Sequence, residues 1–419
     1  MSLSDPPRTR PDTPASASPT WRTLFGSRTF TVLWAGQAVS NVGDALTRVA
    51  LPVYAYVVTG QPFALATTFA AAQLPWLLAS LLAGSLADRF AARTLIRLTL
   101  LAEGAAVAAV TLTHHAWQIA ALALLTGSLQ TVRAPARSAV LPSIVGASLM
   151  TKATALYTTT IQTTDVIGQA GGGLLIGAVG PRYALLADAV SFAVFAVLVP
   201  RLPARESDTT RSASPWRGFW LVATLPALRT TVLLMVVRGA TVTASIPLLY
   251  LLVRGSMHAG PSGYGVLVGC LSAGLVAGSV LIGHAERITP RVSLIIFTAL
   301  AGVLAVGLAA AGRLLLAVPV VMLLGLLYAP GNVTANAEFV VLAPAEARGR
   351  VVSAAWALIK SAQVLGALVQ GALIAGIGAG RTLAVSGAVL VLACVALAAV
   401  RPRLGVPAPV PAVASRLSD

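Results

Sequence analysis

Four acidic and three basic side chains stand inside long apolar stretches of this 419-residue chain. Asp44, Glu103, Asp165 and Asp188 fall in its first half together with Arg48, whereas Arg238 and Lys360 fall in the second. A charge at the centre of a membrane helix costs about 2.5–3.5 kcal/mol on insertion scales, so it persists where it is paired, wetted or able to take a proton. Asp44 and Arg48 are four residues apart, share one helical face and have the spacing of a salt bridge. Two readings of Asp44 follow. It is either a proton carrier whose charge alternates as access to water changes, or a structural carboxylate held by Arg48. Glu103, midway along its helix, and Asp165 are the further candidates for proton coupling; Asp188 is read as lying near an outer helix end. Asn41, Arg48, Arg238 and Lys360 are candidates for a substrate cavity. The two second-half bases either bind an anionic group, such as a carboxylate or catecholate, or neutralise acids across the boundary between the halves.

No catalytic constellation accompanies these residues. The chain has no GxxxxGK(S/T) phosphate loop and no HExxH or GxSxG motif, which speaks against an intrinsic ATP-driven pump and against an enzyme. Cys270 and Cys394 lie in separate apolar runs and form neither a disulfide framework nor a CxxC site. His114 and His115 have no carboxylate or cysteine near them in sequence. The expectation is therefore no metal, no catalytic residue and no cofactor.

The elements that must hold the charges are membrane helices. Hydrophobic residues make up 57% of the chain and charged residues 10%, against about 25% charged in a soluble domain. Apolar runs long enough to cross about 30 Å of hydrocarbon recur along the chain. The spacing predicts six spans at 30–58, 63–86, 94–112, 117–132, 158–179 and 183–199, and six more at 230–253, 264–282, 292–311, 314–333, 352–377 and 383–400. The organisation expected is a tail (1–28), a six-helix bundle (29–200), a polar linker (201–228), a second bundle (229–401) and a second tail (402–419).

Lysine and arginine in short loops are retained in the cytoplasm. With the amino terminus inside, 22 basic residues fall on the inner side and 4 on the outer, with Arg48, Arg238 and Lys360 within helices. Both termini are thus expected to be cytoplasmic, in the plasma (inner) membrane. The +16 net charge needs no nucleic acid to explain it. Arg133, Arg137 and Glu338 are read as lying near the cytoplasmic ends, where long side chains snorkel to the interface. A shift of 198 in numbering carries Ile161, Gly168, Gly173, Ile176 and Gly180 onto Ile359, Gly366, Gly371, Ile374 and Gly378. It also carries Asp88, Arg89 and Arg93 onto Glu286, Arg287 and Arg291. Such a match predicts a parallel repeat of two bundles around a central cavity.

Between the second and third spans the chain reads Gly84-Ser85-Leu86-Ala87-Asp88-Arg89-Phe90-Ala91-Ala92-Arg93. This resembles the signature of the major facilitator superfamily: a glycine, an Asp-Arg pair four and five residues on, then a basic cluster. Ala91 and Ala92 replace the usual glycine and basic residue, and Glu286 with Arg287 makes a weaker copy. The stretches Asn41–Pro52, Pro135–Pro142 and Pro344–Val351 resemble the drug and siderophore exporter branch, which includes macrolide-efflux proteins. The likeness runs from about Phe30 to Arg403.

That resemblance implies an all-α, twelve-helix fold working by alternating access, with Gly84, Asp88, Arg89, Arg93, Glu286 and Arg287 as a cytoplasmic gate motif. It implies a proton-coupled antiporter of the multidrug-resistance type, exporting a partly apolar antibiotic, siderophore or secondary metabolite. Its partners would be that small molecule, protons and the bilayer, and a monomer suffices. Gly168, Gly171, Gly172 and Gly173 are expected to pack helices closely; they resemble the glycine-rich stretch of antiporters, with Gly168-Gln169 in place of Gly-Pro. A small-nutrient importer of the same fold and a non-transporting receptor or scaffold are the alternatives. An aromatic content of 6% argues against a sugar or peptide importer.

Overall fold

A computed structural model of the chain describes residues 21–76, 92–145, 149–199, 216–282, 290–344 and 347–400. Among the described residues there are fifteen α-helices. A short α1 (Trp21–Gly26) precedes the first-half spans α2 (Arg28–Thr59), α3 (Pro62–Gln73), α4 (Ala92–Val110), α5 (Ala116–Val145), α6 (Met150–Val179) and α7 (Pro181–Leu198). The second half holds α8 (Trp216–Thr224), α9 (Pro226–Arg238), α10 (Leu249–Gly255), α11 (Pro261–Ile282), α12 (Pro290–Ala310), α13 (Leu314–Val341), α14 (Arg348–Ile377) and α15 (Ala379–Val400). Together they form the twelve-span, two-half fold expected, with α9 and α10 sharing the seventh span.

Local chemistry sets the breaks. Ser27 caps α2 by accepting from the Phe30 amide at 3.3 Å, the usual service of an N-cap side chain. Gly60 ends α2 in the left-handed region (φ 70°), its amide donating to Tyr56 O at 2.8 Å. The seventh span breaks at a π-helical turn, Gly239–Thr243. Gln370 of α14 braces that break, donating to Ala240 O at 2.8 Å and Thr241 O at 2.9 Å while accepting from Ser245 Oγ at 2.6 Å. A side chain thus satisfies carbonyls that lipid could not. The fourth, fifth and tenth spans are longer than their apolar cores predict, and α8 lies in the region read as linker. Its Gly218 packs against Arg350 and Ala354 of α14, and a bend of 102° separates it from α9.

The repeat holds in three dimensions. Gly168 sits against Val42 Cα, where an added Cβ would lie at 3.0 Å; Gly366, 198 residues on, sits likewise against Ala240 Cα at 2.6 Å. Gly180 and Gly378 share φ values of 88° and 82°. Gly60 (φ 70°) is matched by His258 (φ 49°), a non-glycine residue with positive φ.

The two halves meet through α6 against α11 and α3 against α14. Gly173 and Gly177 of α6 face Gly265 and Ser262 of α11, while Gly371 of α14 faces Ala66 and Phe63 of α3. Tyr56 stacks edge-on with Tyr250 (5.6 Å), Tyr250 with Tyr264 (5.5 Å), and Arg254 lies over Tyr56 (5.6 Å). All these contacts lie toward the end of the molecule that carries the α2–α3 turn. They close it as a seal.

Candidate functional site

A cavity of about 500 Å³ lies between the halves, on the other side of that seal. The order along each helix shows this. On α14, Trp356, Lys360 and Gln363 line the cavity and Gly371 makes the seal; on α6, Asp165 and Gln169 line it and Gly173 seals. Gln73 donates to Gln363 Oε1 across the halves at 3.1 Å.

Three cavity candidates are in place. Arg48, Arg238 and Lys360 all line the cavity. Asn41 does not: it accepts from Gln37 Nε2 at 2.6 Å within α2. Arg48 pairs with Asp165 of α6, not with Asp44, and both side chains are about two-fifths exposed, at 41% and 39%. Asp165 also accepts from Gln169 at 3.1 Å. Arg238 donates to Tyr328 O at 3.3 Å and to Asn332 Oδ1, with its guanidinium 3.9 Å above the Tyr328 ring. Gly331 leaves the room that guanidinium occupies.

Behind the first-half wall lies a second polar centre. Asp44, Glu103, Arg133 and Asp188 are all buried, at 7%, 0%, 3% and 1% exposure. Arg133 of α5 donates to Glu103 Oε2 at 2.5 Å and to Asp44 Oδ2 at 3.0 Å, and lies 5.5 Å over the Phe192 ring. Gln130, one turn earlier, donates to Glu103 Oε1 at 2.7 Å and Asp44 Oδ1 at 3.1 Å. Asp188 of α7 accepts from Thr47 at 2.5 Å and Ser191 at 3.0 Å. Gly43 leaves the space its carboxyl fills. Two carboxyls thus share one guanidinium, and the third, Asp188, is held by hydroxyls.

Arg133 and Asp188 correct the sequence reading. Arg133 is not an interfacial snorkel but the counter-charge of Asp44 and Glu103, because α5 continues as helix well past Val132. Asp188 is not near a helix end but inside the cluster. Glu338 does lie in the last turn of α13, but it is buried and accepts from Thr231 of α9. Gln130 and Thr47 were not singled out by sequence; both touch the buried carboxyls and both line the cavity.

The cavity composition overturns one inference. Gln73, Gln130, Gln169, Gln363, Asn332 and Asn336 line it, as do Phe69, Trp76, Tyr264, Tyr328, Phe339 and Trp356. The chain's low aromatic content does not carry over to its cavity, where aromatics and amides concentrate.

Of the packing glycines, Gly168 and Gly172 contact α2 and Gly173 contacts α11, while Gly171 faces open space. Gly84, Asp88, Arg89, Glu286 and Arg287 lie outside the described residues; Arg93 is the second residue of α4. Among the described residues no group of three or more histidine, cysteine or acidic side chains is arranged to hold a metal.

A family model described as transmembrane secretion effector matches residues 19–408. No curated protein matches the sequence. Solved structures of like fold include the nucleoside transporter NupG, at TM-score 0.71, 13% identity, and cover of 89% of this chain and 98% of that one. A POT family transporter in complex with a thioalcohol-conjugated peptide gives TM-score 0.72, 11% identity, and cover of 90% and 96%. The POT family transporter PepTSo gives 0.69, 12%, 91% and 98%. At such identities the likeness is one of fold.

Proposed function

The chain belongs to the transmembrane secretion effector family of major facilitator transporters, and from that premise we propose that it exports a partly apolar small molecule by alternating access, driven by protons that enter through the Asp44–Glu103–Asp188 cluster. The observation that carries the proposal is a shared wall. Gln130 and Thr47 line the cavity and at the same time hold the buried carboxyls.

That wall couples proton to substrate. An ionised carboxylate only accepts hydrogen bonds, whereas a protonated one also donates. Gln130 gives its amide protons to Asp44 and Glu103; a proton on the oxygen that faces it sets donor against donor and favours a turn of the amide, which changes the polar group presented to the cavity. Arg133 compensates one carboxylate, and the two remaining charges are where protons are taken up and released. Arg48, with its own partner Asp165, stays on the cavity side.

The basic asymmetry along the sequence supports a plasma-membrane protein with cytoplasmic termini. The seal then lies on the outer face and the cavity on its cytoplasmic side, where an exporter would load. Both halves of the cavity come from one chain, so a monomer suffices. A second reading, import of a polar nutrient, is favoured by the six amide side chains around the cavity.

Accumulation of labelled antibiotics and siderophores in efflux-deficient cells decides between them. Lower accumulation with the protein, abolished by a protonophore and lost in Asp44→Asn, is the result expected of proton-driven export. Raised accumulation establishes import. Export that persists in both Asp44→Asn and Glu103→Gln removes the cluster from the coupling.

A further inference from the structure

The cavity is electrostatically lopsided. Among the described residues Asp165 is the one acid that lines it, against Arg48, Arg238 and Lys360. Asp165 is taken by Arg48. Among the described residues the remaining first-half acids, Asp44, Glu103 and Asp188, are held behind the wall by Arg133, Gln130, Thr47 and Ser191, so none of these crosses to the second half to neutralise Arg238 or Lys360. Within electrostatic reach of Lys360 lies Arg48, a like charge.

Both second-half cations also have donors to spare. A guanidinium carries five N–H donors and an ammonium three. Arg238 uses two of its five, on neutral oxygens of Tyr328 and Asn332. Lys360 has no hydrogen-bond or ion-pair partner among the described residues. Two uncompensated cations facing a cavity call for an anion to complete them. Around them, Trp356 and Phe339 of the second half and Phe69 and Trp76 of the first supply flat apolar surface. The volume, about 500 Å³, lies within the range usual for small-molecule sites.

We propose that the transported compound is an amphipathic organic anion, with a ring-bearing apolar body among the aromatic residues and a carboxylate or similar ionised acid between Arg238 and Lys360. This rests on the transport reading above and adds the charge of the substrate to it.

The test uses the purified full-length chain in detergent and three probes of one shape: 2-naphthoate, 2-naphthamide and 2-naphthylmethylammonium, titrated calorimetrically. Close charge pairs couple strongly enough that naphthoate should bind about tenfold or more tighter than naphthamide, with the ammonium weakest. Lys360→Gln and Arg238→Gln should each remove most of that advantage and change naphthamide affinity far less than naphthoate affinity, while Arg238→Lys keeps part of it. Lys360 is half-buried and unpaired among the described residues, so its variant remains informative if Arg238→Gln fails to fold. Equal affinity for naphthoate and naphthamide, absent naphthoate binding, or an advantage that survives loss of Lys360 overturns the proposal. Cell assays separate the two layers. Protonophore-sensitive export of neutral or cationic compounds alone would overturn the anion and leave transport standing. Naphthoate binding without flux of any compound would keep the site and overturn export.

Discussion

Replacing Gly173 by alanine should unseal the closed end. A Cβ at that position would lie 2.7 Å from Gly265 Cα and 2.8 Å from Gly265 O. Ordinary contact begins at 3.4 Å, so α6 and α11 must part by somewhat more than half an ångström. Both atoms belong to helical backbone, and no side chain can swing aside. Overpacking of this kind costs about 1–3 kcal/mol, and the cost falls on the state in which the two helices touch. The state in which they are apart is spared. The balance should therefore move about 5- to 150-fold toward the open-seal form. Ser262→Cys, at the Gly177 contact, reports this through its rate of labelling by a membrane-impermeant maleimide added from outside, in a background with Cys270 and Cys394 replaced. Gly171→Ala is the control, because that glycine has nothing within 4 Å. Labelling that is equal in Gly173→Ala and Gly171→Ala, with both proteins eluting as the parent does, would refute the argument that this contact holds the seal.

Arg133→Ala leaves the buried carboxyls of Asp44 and Glu103 without their guanidinium, and breaking such a buried pair costs about 3–5 kcal/mol; thermal unfolding in detergent should show a large drop in midpoint, and an unchanged midpoint would remove Arg133 as the cluster's anchor. Gln370→Ala frees the carbonyl of Ala240 at the break in the seventh span and leaves Thr241 O only its bond from Ser245 Oγ, a loss of about 1–3 kcal/mol. Hydrogen exchange should rise in residues 239–243 and stay level elsewhere; a uniform change would show that Gln370 braces nothing in particular.

The spans and the repeat were legible because lipid imposes them. A twenty-residue apolar run has few other uses, and the 198-residue offset reappears as matched glycine contacts and matched positive φ values. Arg48, Arg238 and Lys360 were found because a charge in an apolar run stands out on its own. Their partners were another matter. Spacing rules see four residues, so Asp44 was matched to Arg48, whereas its counter-charge sits on α5. The apolar run stops at Val132, which puts Arg133 at a helix end by sequence, yet the helix continues through Pro135 to Val145; a membrane helix tolerates proline where neighbours satisfy its backbone. Gln130 and Arg133, three residues apart and therefore on one face, were the available signal. The cavity amides were invisible for a different reason. They are scattered over several helices, one or two to each, and only the packing of the halves gathers them.

The distance along the chain between Asp44 and Arg133 bears on how the protein is made. The two are 89 residues apart. At about 5–20 residues per second of synthesis, the aspartate emerges roughly 4–18 s before its arginine. Thr47 waits longer for Asp188, 141 residues on. Throughout that interval α2 carries an acid without its folded-state partner, and lipid is a poor place to keep it. The first span must therefore linger against water or a polar surface of the insertion machinery until α5 arrives. Release into the bilayer is then a property of the assembled half and not of each helix in turn. A nascent chain stopped after α4 should remain extractable or be degraded, while one stopped after α7 should stay.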